Sequence, residues 1–384
     1  MWLLTDEPLP QEVPVPESEL TVWSATGEDR RAWLRTLASW ERHEVYAHPE
    51  FLTLFARPDD APVCLRYRDD SGEALYPLIM RDLARLPHGG KRFEGWYDAV
   101  TAPYGYGGPF VRTDGDVRDV VRRFYAAYAS WARETRLVSE YTTFAPHAAT
   151  PETYPGDVAT KMPVVVKHLT AADIDATIKD AQRRSIRRAR KVGVTVELDA
   201  DGDDAEALVR VCAETSARHG GFAAGHEVTP ELVDAILTRL CDYAVLFHAR
   251  VDGIIVSSEL VFLSGETVVF FRGGTASSAM NSRANQLLKY EICVWAKRAG
   301  YRWYLLGGGT GPHEDDPLFV YKKTFATDGV RSLHVGKWII DAERYHELVA
   351  SRERHEHALG SSFTPADGYF PTYRAPMAVT RGGV

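Results

Sequence analysis

Residues 243–272 carry the sequence YAVLFHARVDGIIVSSELVFLSGETVVFFR, which predicts three consecutive antiparallel strands. The first two, Tyr243–Val251 and Gly253–Leu263, meet at Asp252-Gly253, the dipeptide that a tight type I′ hairpin turn favours. Thr267–Arg272 is a third hydrophobic strand that pairs naturally with them.

Helices and strands are predicted on both sides of this sheet. Ala284–Ala299 is a helix with one apolar face, ended by Gly300 and followed by a strand at Trp303–Leu306. The elements on the N-terminal side are a basic helix over Ala171–Lys191 that ends at Gly193, a strand at Val194–Leu198, and helices over Asp204–His219 and around Pro230–Leu240. The order helix, strand, helix, three antiparallel strands, helix, strand is that of an acyltransferase domain of the GNAT type.

A second α+β block precedes this one. It is predicted to contain an amphipathic helix over Asp29–His43, strands at Val63–Tyr67 and Ala74–Met80, a helix over Val117–Glu134, and closing strands near Val138–Phe144 and Lys161–Val166. We therefore expect a first domain over residues 21–166 and a second over 167–345. Residues 1–20 are acidic and proline-rich, and residues 346–384 contain a helix followed by a Gly/Pro/Ser-rich tail, so we expect the two ends to be surface arms.

Composition limits the classes of function. The 384 residues include 45 Lys+Arg and 53 Asp+Glu, a net charge of -8, which argues against a protein that coats nucleic acid nonspecifically. The four cysteines are scattered without CxxC spacing, and the histidine pairs have poor spacing for ligands, so we expect free thiols and no metal. No segment approaches the roughly 18 apolar residues of a membrane span, and no signal peptide is visible, so we expect a cytoplasmic protein.

The basic helix is the most distinctive feature of the sequence. Seven of the thirteen residues in Lys179–Lys191 (KDAQRRSIRRARK) are basic and one is acidic. On a helix Arg184, Arg187, Arg188 and Lys191 share one face, a geometry suited to phosphate groups. In an acidic chain this pattern favours a polyanion site over a merely solvated face.

Three further segments could carry chemistry. Leu305–Asp316 (LLGGGTGPHEDD) is a strand that ends in glycines, whose N–H groups could bind an oxyanion, although a simple tight turn explains the pattern equally well. Phe319–Phe325 (FVYKKTF) places lysines just after that loop, where an ammonium could stabilise a tetrahedral intermediate. Asp98–Pro109 (DAVTAPYGYGGP) alternates tyrosine and glycine, as in a substrate-contacting loop or an edge turn that covers the core.

Together these segments resemble the Fem-type aminoacyltransferases, a branch of the GNAT superfamily. The resemblance rests on four segments in order, Arg183–Glu197, Ala284–Gly300, the strand with Gly307-Gly308-Gly309, and Tyr321–Phe325, and the Tyr/Gly loop at 104–109 fits the first domain of the family. It implies an α+β fold with two tandem GNAT-like domains, each a mixed, mostly antiparallel sheet flanked by helices. It also implies transfer of an amino acid from aminoacyl-tRNA to an amine of a peptidoglycan precursor or an antibiotic-type small molecule, without a cofactor.

The resemblance also implies roles for residues. Lys322 matches the family's lysine near the aminoacyl ester, with Tyr321 in the adjoining aromatic position. Arg184 and Arg187 fall where the family binds phosphate or substrate, and we expect Arg188, Lys191 and Lys323 to contact tRNA with them. The residues expected on the acceptor side are Asp98, Tyr104, Tyr106, Arg272, Asn285 and Gly308. Glu259 could orient the amine or take its proton, or it could pair with Arg272.

The sequence departs from the family pattern at two points, and two alternative functions remain. The short connection from Gly193 to Asp204 leaves no room for the coiled-coil arm of one peptidoglycan-bridge subgroup, and Leu306 stands where the family usually has an acidic residue. An acyl-CoA-dependent N-acyltransferase is the first alternative, but the stretch 272–285 lacks the [RQ]xxGx[GA] turn that holds the CoA pyrophosphate. A noncatalytic RNA-binding module is the second.

Overall fold

The computed structural model describes residues 19–146, 150–221 and 227–378. Within these ranges the strands are β1 (Glu19–Ser24), β2 (Asp60–Asp69), β3 (Gly72–Asp82), β4 (Tyr97–Val100), β5 (Phe110–Arg112), β6 (Leu137–Thr143), β7 (Asp157–His168), β8 (Thr195–Asp199), β9 (Ala244–Val251), β10 (Ile254–Ser264), β11 (Thr267–Thr275), β12 (Trp303–Gly307) and β13 (Val330–Ile339). The α-helices are α1 (Gly27–Ala38), α2 (Pro49–Phe55), α3 (Val117–Glu134), α4 (Asp180–Lys191), α5 (Ala205–Arg218), α6 (Pro230–Arg239), α7 (Ala284–Arg298), α8 (Pro317–Lys323) and α9 (Ala342–Ala358).

All these strands form one sheet in the order β1-β2-β3-β4-β6-β13-β7-β12-β11-β10-β9-β8, with β5 on β3. In the first half of the chain (β1 to β7), β1 to β4 are antiparallel neighbours and β4 runs parallel to β6. In the second half (β8 to β13), β8 to β11 are antiparallel and β11 runs parallel to β12. The two halves thus repeat one arrangement, and the predicted α+β fold of tandem GNAT-like units is confirmed.

The predicted hairpin has the expected turn. Asp252 and Gly253 both have positive φ, 50° and 78°, which only a type I′ turn requires of both central residues. The adjacent pair β10–β11 is interrupted by a bulge, because Leu260 lies opposite Arg272 while Val261 lies opposite Phe270. Beyond the bulge, β11 separates from its parallel neighbour β12, whose pairing with it is confined to Val269↔Leu305 and the two pairs before it.

The two halves exchange strands at the centre of the sheet. The prediction that residues 161–166 close the first block is wrong, because β7 pairs with β12 on one side and with β13 on the other. The C-terminal strand β13 in turn pairs with β6 of the first half. Hydrophobic periodicity identifies a strand but not the strand with which it pairs. The pairing of β7 and β13 could therefore not be predicted from the sequence pattern.

Several predicted boundaries also move. The basic helix begins at Asp180 and not at Ala171, because the preceding segment turns around Lys167, whose Nζ donates to the Ile174 carbonyl. The N-terminal arm lies outside the described residues up to position 18, but Glu19 already begins β1. The C-terminal tail is not a surface arm throughout, because Tyr373 is completely buried. None of the helices in the described ranges is apolar over a length that could cross a bilayer.

One apolar core joins the halves and fixes their relative position. Phe51 on α2 packs edge-on against Phe262 on β10, with ring centroids 5.6 Å apart. Phe55 contacts both Tyr104 of the first half and Phe271 of the second, at 5.6 and 6.1 Å. The opposite face of β10 to β12 is covered by α7 and α8, and the side chains described next lie on that face.

Candidate functional site

Lys322 is the residue around which the candidate site is built. Its helix, α8, begins with Asp316, whose Oδ1 accepts hydrogen bonds from the N–H groups of Leu318 and Phe319, both at 2.9 Å. Lys322 lies in the last turn, is 4% exposed, and its Nζ donates to the Gly308 carbonyl oxygen at 2.7 Å. Burial, reinforced by the charge of nearby Lys289, lowers the pKa of Lys322 to about 7.

A second buried lysine lies next to it and pairs with a buried carboxylate. Lys289 on α7 donates from Nζ to Glu259 Oε2 at 2.7 Å, and the hydroxyl of Tyr304 donates to the other oxygen of the same carboxylate. Glu259 and Lys289 are 1% and 3% exposed. The alternative in which Glu259 pairs with Arg272 does not hold, because the partners of the carboxylate are Lys289 and Tyr304, whereas Arg272 lies against Tyr104 of the first half.

Sequence reasoning missed Lys289, Tyr304 and Phe270. The Nζ atoms of Lys289 and Lys322 lie 4.3 and 4.9 Å from the centroid of the Phe270 ring, so both ammonium groups contact one aromatic ring. Lys289 could have been found, because it interrupts the apolar face of a helix whose neighbouring positions are buried, and a lysine there needs an acidic partner. Nothing in the local sequence distinguishes Phe270 or Tyr304 from ordinary core residues.

The glycine loop whose Gly308 carbonyl accepts the hydrogen bond from Lys322 is closely packed against its neighbours. A Cβ on Gly308 would overlap the Met162 side chain, and one on Gly309 would overlap the Asp316 carboxylate, so the chain passes at a distance that only glycine permits. Asp316 also accepts a hydrogen bond from the Thr310 N–H through Oδ2, at 3.0 Å. The same carboxylate therefore caps α8 and fixes the loop against it.

Arg272 and Tyr104 contact each other across the junction of the two halves, and the charge of Arg272 also contributes to lowering the pKa of Lys322. The guanidinium carbon of Arg272 lies 4.9 Å from the centroid of the Tyr104 ring, and its Nη1 donates to the Phe271 carbonyl at 2.9 Å. Its buried Nε has no partner among the described residues, and burial lowers the pKa of the guanidinium. Tyr104 is held in a left-handed conformation with φ of 62°, as expected of a residue in a constrained loop.

The other predicted residues are more dispersed. Tyr321 is adjacent to Lys322, and its buried hydroxyl has no partner among the described residues. Asn285 lies one helical turn before Lys289 on α7, and Lys323 is half-buried at the end of α8. Tyr106 packs edge-on against Tyr46, with ring centroids 5.4 Å apart, and lines a separate cavity.

Asp98 has a structural environment that does not fit the predicted acceptor-binding role. It is completely buried and accepts hydrogen bonds from Arg81, Tyr373 and Arg374, which together occupy both carboxylate oxygens. A carboxylate enclosed in this way cannot reach a substrate. We therefore assign Asp98 to anchoring the C-terminal segment.

The basic face of α4 is exposed, as predicted. Arg184, Arg187, Arg188 and Lys191 are exposed and have no ion-pair or hydrogen-bond partner within the described ranges, whereas the other two arginines on the helix are paired, Arg183 with Asp180 and Arg190 with Glu291. Through Arg190, α4 contacts α7, the helix that carries Lys289. The unpaired cations therefore belong to the same helical layer as the lysine cluster.

The first half contains a related cluster without a lysine. Glu140 on β6 accepts hydrogen bonds from the hydroxyls of Tyr76, Tyr128 and Tyr154, and burial raises the pKa of its carboxyl. Tyr76 lies on β3 and Glu140 on β6, whereas in the second half the carboxylate, Glu259, lies on β10 and the tyrosine, Tyr304, on β12. In sheet order, β3 and β10 are the third strands of their halves, and β6 and β12 are the fifth. The carboxylate and the tyrosine have therefore changed places between these two strands. Of these two clusters, the one in the second half contains lysine.

A serine-histidine-aspartate arrangement elsewhere in the second half is sealed. Ser258 Oγ lies 2.8 Å from His248 Nδ1, and His248 Nε2 lies 3.1 Å from Asp199 Oδ2. Ser258 is 1% exposed and His248 is completely buried, so no acyl carbon can reach the hydroxyl. This trio links β8, β9 and β10, and we assign it to stability.

Comparison with known proteins finds a family match in the second half. Residues 179–323 match the family model of the acetyltransferase (GNAT) domain. The matched segment lies within the GNAT-like unit of the second half. It contains the basic helix, the lysine cluster and Lys322, and it ends at Lys323. A search of curated protein sequences finds no match.

Solved structures extend the likeness to the whole fold. The crystal structure of FemX superposes with a TM-score of 0.59 at 12% identity, covering 83% of this chain and 97% of FemX. L-PGS from Bacillus licheniformis gives a TM-score of 0.50 at 12% identity, covering 86% of this chain and 97% of that one. The predicted resemblance to the Fem-type enzymes is thereby confirmed for the fold.

Proposed function

We propose that this protein is an acyltransferase that moves an amino acid from aminoacyl-tRNA to an amine of a small-molecule or peptide acceptor and forms an amide bond. The observation that carries the proposal is Lys322, a buried lysine whose single hydrogen-bond partner among the described residues is a backbone carbonyl oxygen at the end of a glycine-rich strand. Such an ammonium is free to turn toward a second oxygen. The antibiotic-type metabolites and peptidoglycan precursors used by Fem-type enzymes are the acceptor classes to test first.

The chemistry needs little beyond alignment and charge stabilisation. The acceptor amine attacks the ester carbonyl carbon, the new C–N bond forms, and negative charge develops on the carbonyl oxygen, where Lys322 would stabilise it. The bond to the ribose oxygen then breaks, the amine loses a proton and the ribose oxygen gains one. An ester is already activated, so no covalent nucleophile is required.

The neighbouring residues have supporting roles in this proposal. Glu259 is neutralised by Lys289, so it acts as a positioning residue that keeps Lys289 and the Phe270 ring in place and not as the base. Tyr104 and Arg272 line the junction between the halves, where the acceptor would bind. The exposed cations of α4 would contact the tRNA phosphates.

The β11–α7 connection supports tRNA over CoA as the donor. Arg283 precedes α7 in a left-handed conformation with φ of 62°, and the stretch 277–286 contains no glycine, so the Gly-rich turn that cradles a pyrophosphate is missing. One observation supports the alternative of an acyl-CoA donor, namely the match to the family model of an acetyltransferase domain. The experiment below separates the two donors.

The test is filter binding of the purified protein to total charged tRNA, with mass spectrometry of the retained aminoacyl group, beside a CoA-ester binding assay on the same preparation. We expect retention of one aminoacyl-tRNA and its transfer to an added amine. Binding of CoA without retention of tRNA would make the protein a CoA-dependent acyltransferase. Retention of tRNA with no transfer to any amine would favour the noncatalytic RNA-binding module.

A further inference from the structure

A cavity of about 190 Å³ lies between the two halves, on the face of the sheet away from Lys322. Val269 and Leu305 of the second half form part of its wall, and both belong to the core shared with the first half, whereas the next residues, Phe270 and Leu306, face α7 and α8. The polar residues on its wall include Glu44, Tyr46, Tyr106 and Ser264. This cavity is therefore separate from the lysine site.

Glu44 presents a carboxylate to this cavity without a cation to balance it. Its Oε2 accepts a hydrogen bond from Ser264 Oγ at 2.6 Å, and no lysine, arginine or histidine pairs with it within the described ranges. A Cβ at Gly265 would overlap Oε1, so this glycine leaves room for the carboxylate beside the β10–β11 turn. Burial raises the pKa of the Glu44 carboxyl, as expected where nothing compensates its charge.

Tyr46 supplies a second group that lacks a partner. It is 4% exposed, and its hydroxyl makes no hydrogen bond among the described residues. Its ring is fixed edge-on between Phe51 and Tyr106, with centroids at 5.0 and 5.4 Å, so the hydroxyl cannot swing out to solvent. Buried polar groups in proteins are normally satisfied, and this one lines the same cavity as Glu44.

We propose that the cavity binds a small primary alkylammonium, with the charged end at Glu44 and Tyr46 and the alkyl chain against Val269 and Leu305. An ammonium has three N–H donors, which match a carboxylate and a hydroxyl. A cavity of 150 Å³ accommodates benzene, so this one accommodates a chain of roughly four to six carbon atoms. The inference does not depend on the proposed function, because it concerns the other face of the sheet and its test measures binding alone.

The test is isothermal titration calorimetry of the full chain with n-butylammonium chloride, with 1-butanol as the neutral probe of similar shape. We expect the wild-type protein to bind the ammonium and to bind butanol at least about tenfold more weakly, the usual range for losing a charged hydrogen bond. Glu44→Gln should weaken binding of the ammonium by the same factor. Glu266→Gln is the matched control, because Glu266 lies in the adjacent turn but is paired with Arg42 and Arg302.

Three outcomes would overturn the proposal: no binding of butylammonium by the wild-type protein, equal binding by Glu44→Gln, or equal binding of butanol. The first would mean that the cavity holds only water. Tyr46→Phe is the second variant should Glu44→Gln fail to fold, since it removes only the unpartnered hydroxyl. It should keep the wild-type circular dichroism spectrum and weaken binding of the ammonium several-fold, and unchanged affinity would remove Tyr46 from the site.

Discussion

Two buried lysines, Lys289 and Lys322, share the ring of Phe270 but differ in their partners. Lys289 is matched by the Glu259 carboxylate, so its charge is balanced in the resting protein. Lys322 donates to a carbonyl oxygen, which is a weaker partner than an anion. An oxyanion that forms nearby should therefore interact more favourably with Lys322 than with Lys289.

Replacing Lys322 should remove catalysis without removing the fold. We expect Lys322→Ala to lower kcat by about 100-fold or more, the usual effect of losing one well-aimed oxyanion donor. Single-turnover transfer from aminoacyl-tRNA measures this. Lys167→Ala is the control, because Lys167 is also a buried lysine but binds Ile174 and Thr177. Equal losses in both variants, or an unchanged rate in Lys322→Ala, would remove Lys322 from the mechanism.

The lowered pKa of Lys322 also predicts a pH-dependent stability. The pKa is about 7 in the folded protein and 10.5 for an unperturbed lysine, so the unfolded chain binds more protons between those values. The stability of the wild type should therefore rise as pH increases from 7 toward 10, while Lys322→Met lacks this contribution. Because Lys322→Met buries no charge at this position, we expect its Tm to exceed that of the wild type. This difference in Tm should be largest at pH 6 to 7 and should shrink by pH 9. A difference independent of pH would contradict the shifted pKa.

Helix α4 divides its cations into a paired and an unpaired set, and this division predicts which of them bind RNA. Replacing Arg184, Arg187 and Arg188 together by Gln should weaken tRNA binding and reduce the slope of log K against log salt by about 2 to 3, since each phosphate contact contributes about 0.7 to 0.9. The matched control on the same helix is Arg183→Gln with Arg190→Gln, whose side chains are already paired. Equal slopes for both variants would mean that the exposed face does not contact tRNA.

Prediction from the sequence succeeded where a local pattern sufficed. The Asp252-Gly253 turn and the shared face of Arg184, Arg187, Arg188 and Lys191 on α4 both follow from residues a few positions apart. The pairing of Lys289 with Glu259 joins residues 30 apart on different elements, so no local pattern identified it. Asp98 was misassigned for the same reason, because its partners Tyr373 and Arg374 are 275 and 276 residues away.

The C-terminal segment of the chain is anchored to the first half through Arg374. Its guanidinium forms a bidentate pair with Asp98, at 2.6 and 3.1 Å, in the core of the first half. Arg374→Ala leaves Asp98 with Arg81 and Tyr373, and we expect it to lower the free energy of unfolding by about 1.5 to 3 kcal/mol. Urea denaturation measures this. Arg331→Ala, at an exposed arginine that binds only backbone carbonyls, should change it by less than about 0.5 kcal/mol.

The strand exchange at the centre of the sheet also sets the order in which the molecule can be completed during synthesis. β7 leaves the ribosome before either of its neighbours, β12 and β13, exists, and β6 gains its second neighbour only when β13 has emerged. Until then the nascent chain carries two strands with unpaired backbone groups, which are templates for aggregation. The last strand to be made is thus the one that closes the sheet, and a chain interrupted before residue 330 leaves β6 and β7 each without one neighbour.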